Sequence, residues 1–351
     1  MRVLLVHPGP DFSVADVYRG WAEGLEEMGC EVALFNTNDR LIFYSKALLD
    51  TGQVDETGHP IVTQAMTQME AIRASMQGLS HACYSFWPDV VLFISGFFLE
   101  AGTFALLRSR GHKLAILHTE SPYQDDEQLT RAQFADINLL NDPTNLEKYD
   151  PYGPALYMPH AYRPQLHHPR RGPLNPELAS DFTFIGTAYQ SRISFFERMD
   201  FTGVDFLLGG SNWDELPEDS PLCRFLDQEN LAGCVDNEQT AELYRHAKAG
   251  INIYRQESED AHAGEGWAMG PREIEMAASG LFFLRDPRPE SDEVFPMLPS
   301  FASPEDASDQ LKWWLARDGE REEAARKMLA ATADRTFASN AKRLLRALDT
   351  L

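Results

Sequence analysis

Long apolar runs are missing from this sequence. Nowhere do apolar residues continue for the ~18–20 positions that a membrane-spanning helix needs. Near the start, only Val3 to Val6 stand between Met1-Arg2 and His7-Pro8, which is shorter than the apolar region of a secretory signal. We therefore expect neither a membrane span nor a signal peptide, and a cytoplasmic location.

Cysteine is scarce and scattered. The 4 cysteines, at positions 30, 83, 223 and 234, form no CxxC pair and no Cys/His spacing typical of a metal site. Reduced cytosolic thiols fit this distribution better than a disulfide framework or zinc. The adjacent His167 and His168 also lack a partner at zinc-ligand spacing, so no metal site is expected.

Positive charge is in short supply. The chain has 31 Lys and Arg against 54 Asp and Glu, a formal net charge of −23. A nucleic-acid-binding surface normally needs a basic patch to neutralise phosphates. Here the basic clusters are small, at Arg170-Arg171 and at Lys342-Arg343 with Arg346. DNA is disfavoured as a partner but not excluded, because a local basic cleft is compatible with an acidic total.

The length and the alternation of strand and helix patterns predict two α/β domains. A chain of 351 residues with 43% hydrophobic residues exceeds one ordinary core. In the first half, a strand, a Gly/Pro loop, a helix with Ser13 as its N-cap and a second strand form a βαβ unit, although the loop lacks GxGxxG. Six strands are predicted there: Val3–Val6, Glu31–Phe35, Asp89–Ser95, Lys113–Leu117, Ala135–Leu140 and Ala155–Met158. Their alternation with helices predicts a doubly wound parallel sheet over residues 1–165.

Two segments of the chain are less regular. Between Thr37 and Gln77, helices are predicted around Leu41–Leu49 and Ile61–Met76, which would pack on the sheet or roof a cleft. Four prolines within 163–180 predict an interdomain linker over residues 166–180. The alternation restarts at Asp181 and predicts a second domain over residues 181–334, followed by a closing helix over residues 335–351.

The stretch from Gly264 to Asp286 has the layout of a ligand site. It predicts a Gly-rich loop, a helix that starts at Pro271 and stops before Gly280, and a buried strand. Arg272 in the first helical turn suits a phosphate, and Glu275 three residues later can accept bonds from two neighbouring hydroxyl groups. The alternative interpretation is a capped surface helix in which Arg272 and Glu275 form an i,i+3 ion pair.

Several motifs together resemble the glycosyltransferases of GT-B architecture. In the second half they are FIGTAYQSR (184–192), ELYRHAKAGINIYR (242–255), GPREIEMAASGLFFLRD (270–286) and RTFASNAKRLL (335–345). In the first half they are HTESPY (118–123) and YMPHAYRPQLHHP (157–169). The similarity is to the CgeB-like group and its neighbours in the glycosyltransferase-4-type clan.

This resemblance implies two Rossmann-like domains facing across a cleft, with a C-terminal helix that closes back toward the first. The second domain would hold a nucleotide-sugar donor, with uracil as the default base, and transfer would need no obligatory metal or other cofactor. The implied donor site comprises Gly186, Thr187, Arg192, Val235, Tyr254, Gly270, Arg272 and Glu275. Glu275 would take the ribose, Arg272 and Arg192 the diphosphate, and Gly186-Thr187 would give the diphosphate close access to the backbone.

One position departs from the family pattern. Retaining enzymes of this clan often have a second Glu eight residues before the ribose Glu, and that position here is Trp267. Glu265 and Glu273 are the candidate substitutes. The identity of the sugar and the stereochemistry therefore stay open.

Three residues are candidates for catalysis. His118 and Glu120, at the end of a predicted strand, are the leading acid/base or acceptor-orienting pair, and Asp16 is a second candidate base. A satisfied polar group at a strand end explains His118 equally simply, and compensation of the helix dipole explains Asp16. His160 is interpreted as a hinge or cleft-lining residue.

The sequence favours a glycosyltransferase and leaves two alternatives. One is a nucleotide-sugar epimerase of the same architecture, and the other is a non-catalytic protein that binds nucleotide sugars. The acceptor is open among a glycan, a protein, a small molecule and a modified nucleobase. Nothing in the sequence sets the oligomeric state.

Overall fold

The computed structural model describes residues 1–9, 14–226, 233, 235–257 and 266–351. The first half contains β1 (Arg2–Val6), α1 (Ala15–Glu27), β2 (Glu31–Phe35), α2 (Thr37–Ser45), β3 (Leu48–Val54), β4 (Pro60–Gln64), α3 (Gln68–Phe86), β5 (Val90–Ile94), α4 (Ala101–Ser109), β6 (Lys113–His118), α5 (Asp125–Ala132), β7 (Ile137–Leu140), α6 (Leu146–Tyr149) and β8 (Ala155–Tyr157). The second half contains β9 (Ser180–Ile185), α7 (Gln190–Glu197), β10 (Phe206–Gly209), α8 (Asn237–His246), β11 (Ala247–Asn252), α9 (Pro271–Ala278), β12 (Phe282–Arg285), α10 (Pro289–Val294), α11 (Pro304–Leu315), α12 (Asp318–Ala331) and α13 (Phe337–Leu348). The predicted N-cap Ser13 lies outside the described residues.

Two parallel sheets organise the chain, as predicted. The first has the strand order β2-β1-β5-β6-β7-β8, and the second has the order β10-β9-β11-β12. Alternate residues of β1 point to opposite faces of the first sheet, so Val3 and Leu5 join one apolar cluster while Leu4 and Val6 join another. Apolar packing on both faces is what a doubly wound sheet requires.

The strand orders place a crevice in each half. In the first sheet β1 lies between β2 and β5, and in the second β9 lies between β10 and β11. The crossover direction reverses at these strands, and ligands of open α/β sheets bind beyond the carboxyl ends of the strands at that point. The loops after β1, β5, β9 and β11 are therefore the places to look for a site.

The last helix returns to the first domain. In α13, Phe337, Ala341 and Leu344 belong to the same apolar cluster as Trp21 of α1. Two glycines of α1 make this approach possible: a Cβ on Gly20 would lie 2.2 Å from the Phe337 ring, and one on Gly24 would lie 2.5 Å from the Phe337 backbone. The predicted closure of the C-terminal helix onto the N-terminal domain is thus confirmed.

The region between Thr37 and Gln77 was predicted only in part. Both predicted helices are present with shifted bounds, as α2 and α3, but the antiparallel hairpin of β3 and β4 between them was not predicted, and α3 begins only at Gln68. The turn of the hairpin is held by the Asp55 side chain, which accepts a bond from Thr57 N–H at 2.8 Å. Thr67 and Glu70 form a reciprocal capping box that fixes the true start of α3, and this T-x-x-E signal was readable in the sequence.

Candidate functional site

A cavity of about 850 Å³ lies between the two halves of the chain. Its walls come from the loops that follow the strands of both sheets, at the crevices that the strand orders indicate. From the first half, Phe97, Glu120 and His160 line it, and from the second half Arg272 and Glu275. The cavity is large enough for a nucleotide sugar, since ligand pockets commonly span ~300–1,000 Å³.

Helix α9 presents Arg272 and Glu275 to this cavity. Pro271 occupies its first turn, and Gly280 beyond its end has a φ of +77°, as the sequence predicted. The Arg272 Nε donates to the Ile185 carbonyl oxygen at 2.7 Å. Its two Nη groups donate to no acceptor among the described residues, so they are available to an anion at the helix N-terminus.

The Glu275 carboxylate is half-buried and makes no hydrogen bond with any residue in the described ranges. Burial, together with the nearby Asp16 carboxylate, raises the pKa of Glu275 to about 7, although the Arg272 charge acts to lower it. The predicted i,i+3 ion pair with Arg272 is not formed among the described contacts. A carboxylate left without protein partners in a cavity can accept hydrogen bonds from a ligand.

Gly186 lines the cavity and lies directly against Arg272. A Cβ on it would lie 2.5 Å from the Nη2 atom of Arg272, so its missing side chain gives the guanidinium close access to the backbone, and the predicted approach of a diphosphate stays a prediction. Gly210 packs on the same spot, because a Cβ there would lie 2.3 Å from the Gly186 carbonyl oxygen. The two glycines therefore set the position of Arg272.

Arg192 lines the cavity but is largely engaged by the protein. Its Nε and Nη2 donate to the Ile253 carbonyl oxygen at 3.0 and 2.8 Å, and Nη1 donates to the Thr187 carbonyl oxygen at 3.1 Å. Burial lowers the pKa of Arg192 to about 9, and the neighbouring Arg272 charge adds to that effect. These bonds hold the loop after β9 to the end of β11, and the predicted contact of Arg192 with a diphosphate stays a prediction.

The other predicted donor residues all line the same cavity. Thr187, Val235, Tyr254 and Gly270 lie on loops of the second half. The Tyr254 hydroxyl accepts a bond from Gly270 N–H at 3.1 Å and donates to Glu273. Tyr254 therefore fixes the N-terminus of α9 and does not offer its hydroxyl freely to a ligand.

Neither candidate substitute for the missing Glu is shown at the cavity. Glu273 is fully buried, and its carboxylate accepts bonds from Asn252 Nδ2 at 2.7 Å and Ser291 Oγ at 2.5 Å as well as from Tyr254. Glu265 lies outside the described residues. Trp267 packs edge-on against Tyr157 with ring centroids 5.7 Å apart, so this position is used for packing.

His118 is a core residue, which corrects its assignment to catalysis. Its side chain is fully buried away from the cavity, and Nε2 pairs with Asn138 Oδ1 at 2.8 Å. Nδ1 has no hydrogen-bond partner in the part of the chain that the structure describes, and burial lowers the pKa of His118 to about 4. The side chains of β6 alternate between faces, and His118 points to the face that packs against Tyr149.

Glu120 and Asp16 do line the cavity, but each is paired with an arginine. The Arg255 Nη2 donates to Glu120 Oε2 at 2.8 Å, which joins the two halves across the cavity. Arg163 Nη1 donates to Asp16 Oδ1 at 2.5 Å and also binds Glu23. Each carboxylate thus has an oxygen already bound to a guanidinium, so neither is free to take a proton from an acceptor hydroxyl in this arrangement.

Two cavity residues were missed or underused by the sequence reasoning. Arg255 brings a cation to the centre of the cleft, with its guanidinium 4.4 Å from the centroid of the Tyr123 ring. His160 lines the cavity, makes no hydrogen bond or ion pair with any described residue, and has its pKa lowered to about 4 by burial. The prediction that His160 lines the cleft is confirmed, but the sequence assigned this residue no chemical role. The sequence signals for them were the motifs ELYRHAKAGINIYR, which ends at Arg255, and MPHAYRP, which contains His160.

Comparisons with known proteins fit this architecture. Residues 192–346 match the model of a family described as Glycosyl transferase-like. Sucrose-phosphate synthase from Thermosynechococcus elongatus is similar in structure over 100% of this chain and 99% of that one, with a TM-score of 0.63 and 11% identity. An alpha-glucosyltransferase in complex with UDP has a TM-score of 0.63 and 10% identity over 100% of both chains.

A UDP-N-acetylglucosamine 2-epimerase is also similar, over 99% of this chain and 95% of that one, with a TM-score of 0.56 and 11% identity. At such identities the structural similarity shows the fold alone, which is GT-B. No curated protein is significantly similar in sequence. None of the helices in the described ranges is both long and apolar enough to cross a membrane.

Proposed function

We propose that this protein transfers a sugar from a nucleotide-sugar donor to an acceptor hydroxyl. The observation that carries the proposal is the placement of Arg272 and Glu275 on α9 at the cavity between the domains. Among the described residues, the Arg272 Nη groups and the Glu275 carboxylate have no hydrogen-bond partner. Both residues lie within the segment that matches the glycosyl transferase-like family. Because its motifs resemble those of the CgeB-like group, we also propose that the protein belongs to that subgroup.

The donor would lie along the second domain. Its diphosphate would meet the N-terminus of α9 and Arg272, whose planar N–H groups match phosphate oxygens. Its ribose hydroxyls would donate to Glu275, and its base would pack near Val235. We infer a uracil base, because an alpha-glucosyltransferase of the same fold is described in complex with UDP.

Transfer would break the bond between the anomeric carbon and the diphosphate while the acceptor oxygen bonds to that carbon. Arg272, Arg255 and the helix N-terminus would stabilise the charge that develops on the leaving diphosphate. The proton of the acceptor hydroxyl would go to an oxygen of that diphosphate. Because these positively charged groups can neutralise the leaving diphosphate, we propose that no metal is obligatory. Activity that persists in excess EDTA would support this.

His160 would contact a hydroxyl group of the sugar or the acceptor. At pH 7 its imidazole is neutral, so it has one donor and one acceptor nitrogen, and no described residue occupies either. His160→Gln keeps a donor and an acceptor and should retain more activity than His160→Ala. Equal losses in the two variants would argue against a hydrogen-bonding role.

The donor site can be tested by thermal shift with UDP-, GDP-, dTDP- and CMP-linked sugars. A ligand at a hundred times its dissociation constant adds about 2.7 kcal/mol to stability, which is readily measured. We expect one nucleotide family to stabilise the parent but not an Arg272→Ala, Glu275→Ala double variant. If none stabilises the parent, and the variant melts like the parent, the proposed donor site is wrong.

An epimerase is the second candidate, because a UDP-N-acetylglucosamine 2-epimerase has the same fold. Conversion of the donor to an epimer without any acceptor would identify that reaction. Donor binding without turnover over a broad set of acceptors would indicate a non-catalytic binding protein, which Trp267 in place of Glu keeps open. The acceptor screen should include surface glycans, proteins, small molecules and DNA with modified bases. The scattered cysteines favour the cytoplasm as the compartment.

A further inference from the structure

The hairpin of β3 and β4 is an exposed ribbon. Every residue of both strands is exposed, including Leu48 at 63%, Leu49 at 57%, Val54 at 63% and Val62 at 50%. A two-stranded ribbon on its own is at best marginally stable in water. No other part of the described chain covers the ribbon, so a pairing strand would add to its stability.

The two edges of this ribbon differ. Strand β3 carries Asp50 and Gly52, and its register is interrupted between Asp50 and Val54. Charge, glycine and a bulge are the devices that protect a strand edge from pairing. Strand β4, with the sequence PIVTQ, has no charge and no break, and its only protective residue is Pro60 at its start. Ile61, Val62 and Thr63 are β-branched, as strand pairing favours.

The open edge of β4 also carries backbone N–H and C=O groups that are available for pairing. Ala65 N–H donates to the Ala47 carbonyl oxygen at 2.8 Å, so Ala47 and Ala65 form a bonded pair two residues along from the Leu49–Thr63 pair. Because antiparallel pairs alternate between bonded and non-bonded positions, the N–H and C=O of Val62 point away from β3. They lie at the centre of the unprotected edge.

We propose that β4 pairs antiparallel with β4 of a second copy of this chain, about a two-fold axis through Val62. The acidic residues of the ribbon, Asp50, Asp55 and Glu56, lie on β3 and the turn, so the contact itself brings no like charges together. An uncharged segment is self-complementary, which a two-fold interface requires. A partner that binds through charged side chains would find no charged residue on β4.

The geometry also limits the assembly to two copies. Pairing of the two β4 strands produces a four-stranded sheet whose outer edges are the bulged, acid-bearing β3 strands. Further strands are thereby discouraged, so the contact closes as a dimer. The ribbon contributes no residue to the cavity, so this proposal stands independently of the proposed function.

Sedimentation velocity of the full chain from roughly 1 to 100 µM tests the proposal, because this range covers association of micromolar strength. We expect a monomer–dimer equilibrium, and Val62→Lys should weaken it at least tenfold, since two lysines would face each other at the axis. Gln53→Lys, an equally exposed change on β3, is the matched control and should leave the equilibrium unaltered.

Three outcomes would overturn the proposal. They are a monomer throughout the concentration range, growth beyond a dimer, and equal effects of the two lysine variants. Circular dichroism of both variants would establish that each remains folded. Failure here would leave the donor site untouched, since nucleotide-sugar binding is measured separately.

Discussion

Gly186 and Arg272 are in such close contact that a Cβ on the glycine would lie 2.5 Å from Nη2 of the arginine. The guanidinium is held there by its bond to the Ile185 carbonyl oxygen, at the end of β9. The contact joins the loop after β9 to the first turn of α9. The position of the arginine proposed to bind the diphosphate at the N-terminus of α9 is thus set by a missing side chain in the loop after β9.

Substitution of Gly186 by alanine should therefore displace Arg272 and weaken donor binding. Loss of one charge-assisted contact corresponds to about 1.5–3 kcal/mol, or roughly 10- to 100-fold in affinity. Isothermal titration with the nucleotide sugar identified by thermal shift measures this. Gly319→Ala is the control, because nothing lies within 4 Å of a Cβ at that position. Unchanged affinity in Gly186→Ala would indicate that Arg272 does not bind the diphosphate.

Donor affinity should depend on pH through Glu275. Its pKa is about 7 in the free protein, and the ribose hydroxyls bind best to the ionised carboxylate. As pH falls below 7, the carboxylate must first lose a proton, so affinity should approach a tenfold loss per pH unit. Titrations between pH 5.5 and 8.5 should show this slope in the parent and none in Glu275→Gln. Parallel slopes would contradict the assignment.

The stability of the protein should fall in mild acid because of its buried histidines. Burial lowers the pKa of His118 and His160 to about 4 and that of His167 to about 3. Below pH 6.5 the unfolded chain takes up protons that the folded chain does not, so the free energy of unfolding decreases toward pH 4. Each histidine contributes up to about 1.4 kcal/mol per pH unit.

His118→Gln isolates one of these contributions in urea unfolding at pH 7.5 and 5. The difference in stability between parent and variant should shift in favour of the variant at the lower pH. Glu275 acts in the opposite sense, since its raised pKa favours the folded state as pH falls, but it is common to both proteins and cancels in the difference. A pH-independent difference would show that His118 is not held neutral.

Glu120→Gln should strengthen the binding of free nucleoside diphosphate. In the present arrangement Glu120 occupies Nη2 of Arg255, and a diphosphate would have to compete for that guanidinium. Both side chains are partly exposed, so we expect only about a two- to fivefold gain, in line with a pair of less than ~1 kcal/mol. Weaker binding in this variant would instead mean that Glu120 holds Arg255 in place for the ligand.

The sequence by itself determined the periodic parts of this protein. The buried strands, the helix from Pro271 to Gly280 and the closing helix all follow from apolar spacing and from Pro and Gly at helix ends, which act within a few residues. The same local rules placed Arg272 and Glu275 on one face of α9. Where apolar spacing is ambiguous, as between Thr37 and Gln77, local signals failed and a β-hairpin was mistaken for helix.

Only the tertiary structure decided which polar residues face the cavity. His118 and Glu120 are two residues apart, yet one lies in the core and the other pairs with Arg255 of the opposite domain. Arg192 was predicted as a ligand of phosphate, and the fold brings carbonyl oxygens of Thr187 and Ile253 to it. Such partners are distant in sequence, and hydrogen bonds and burial between them arise only when the two sheets are packed together.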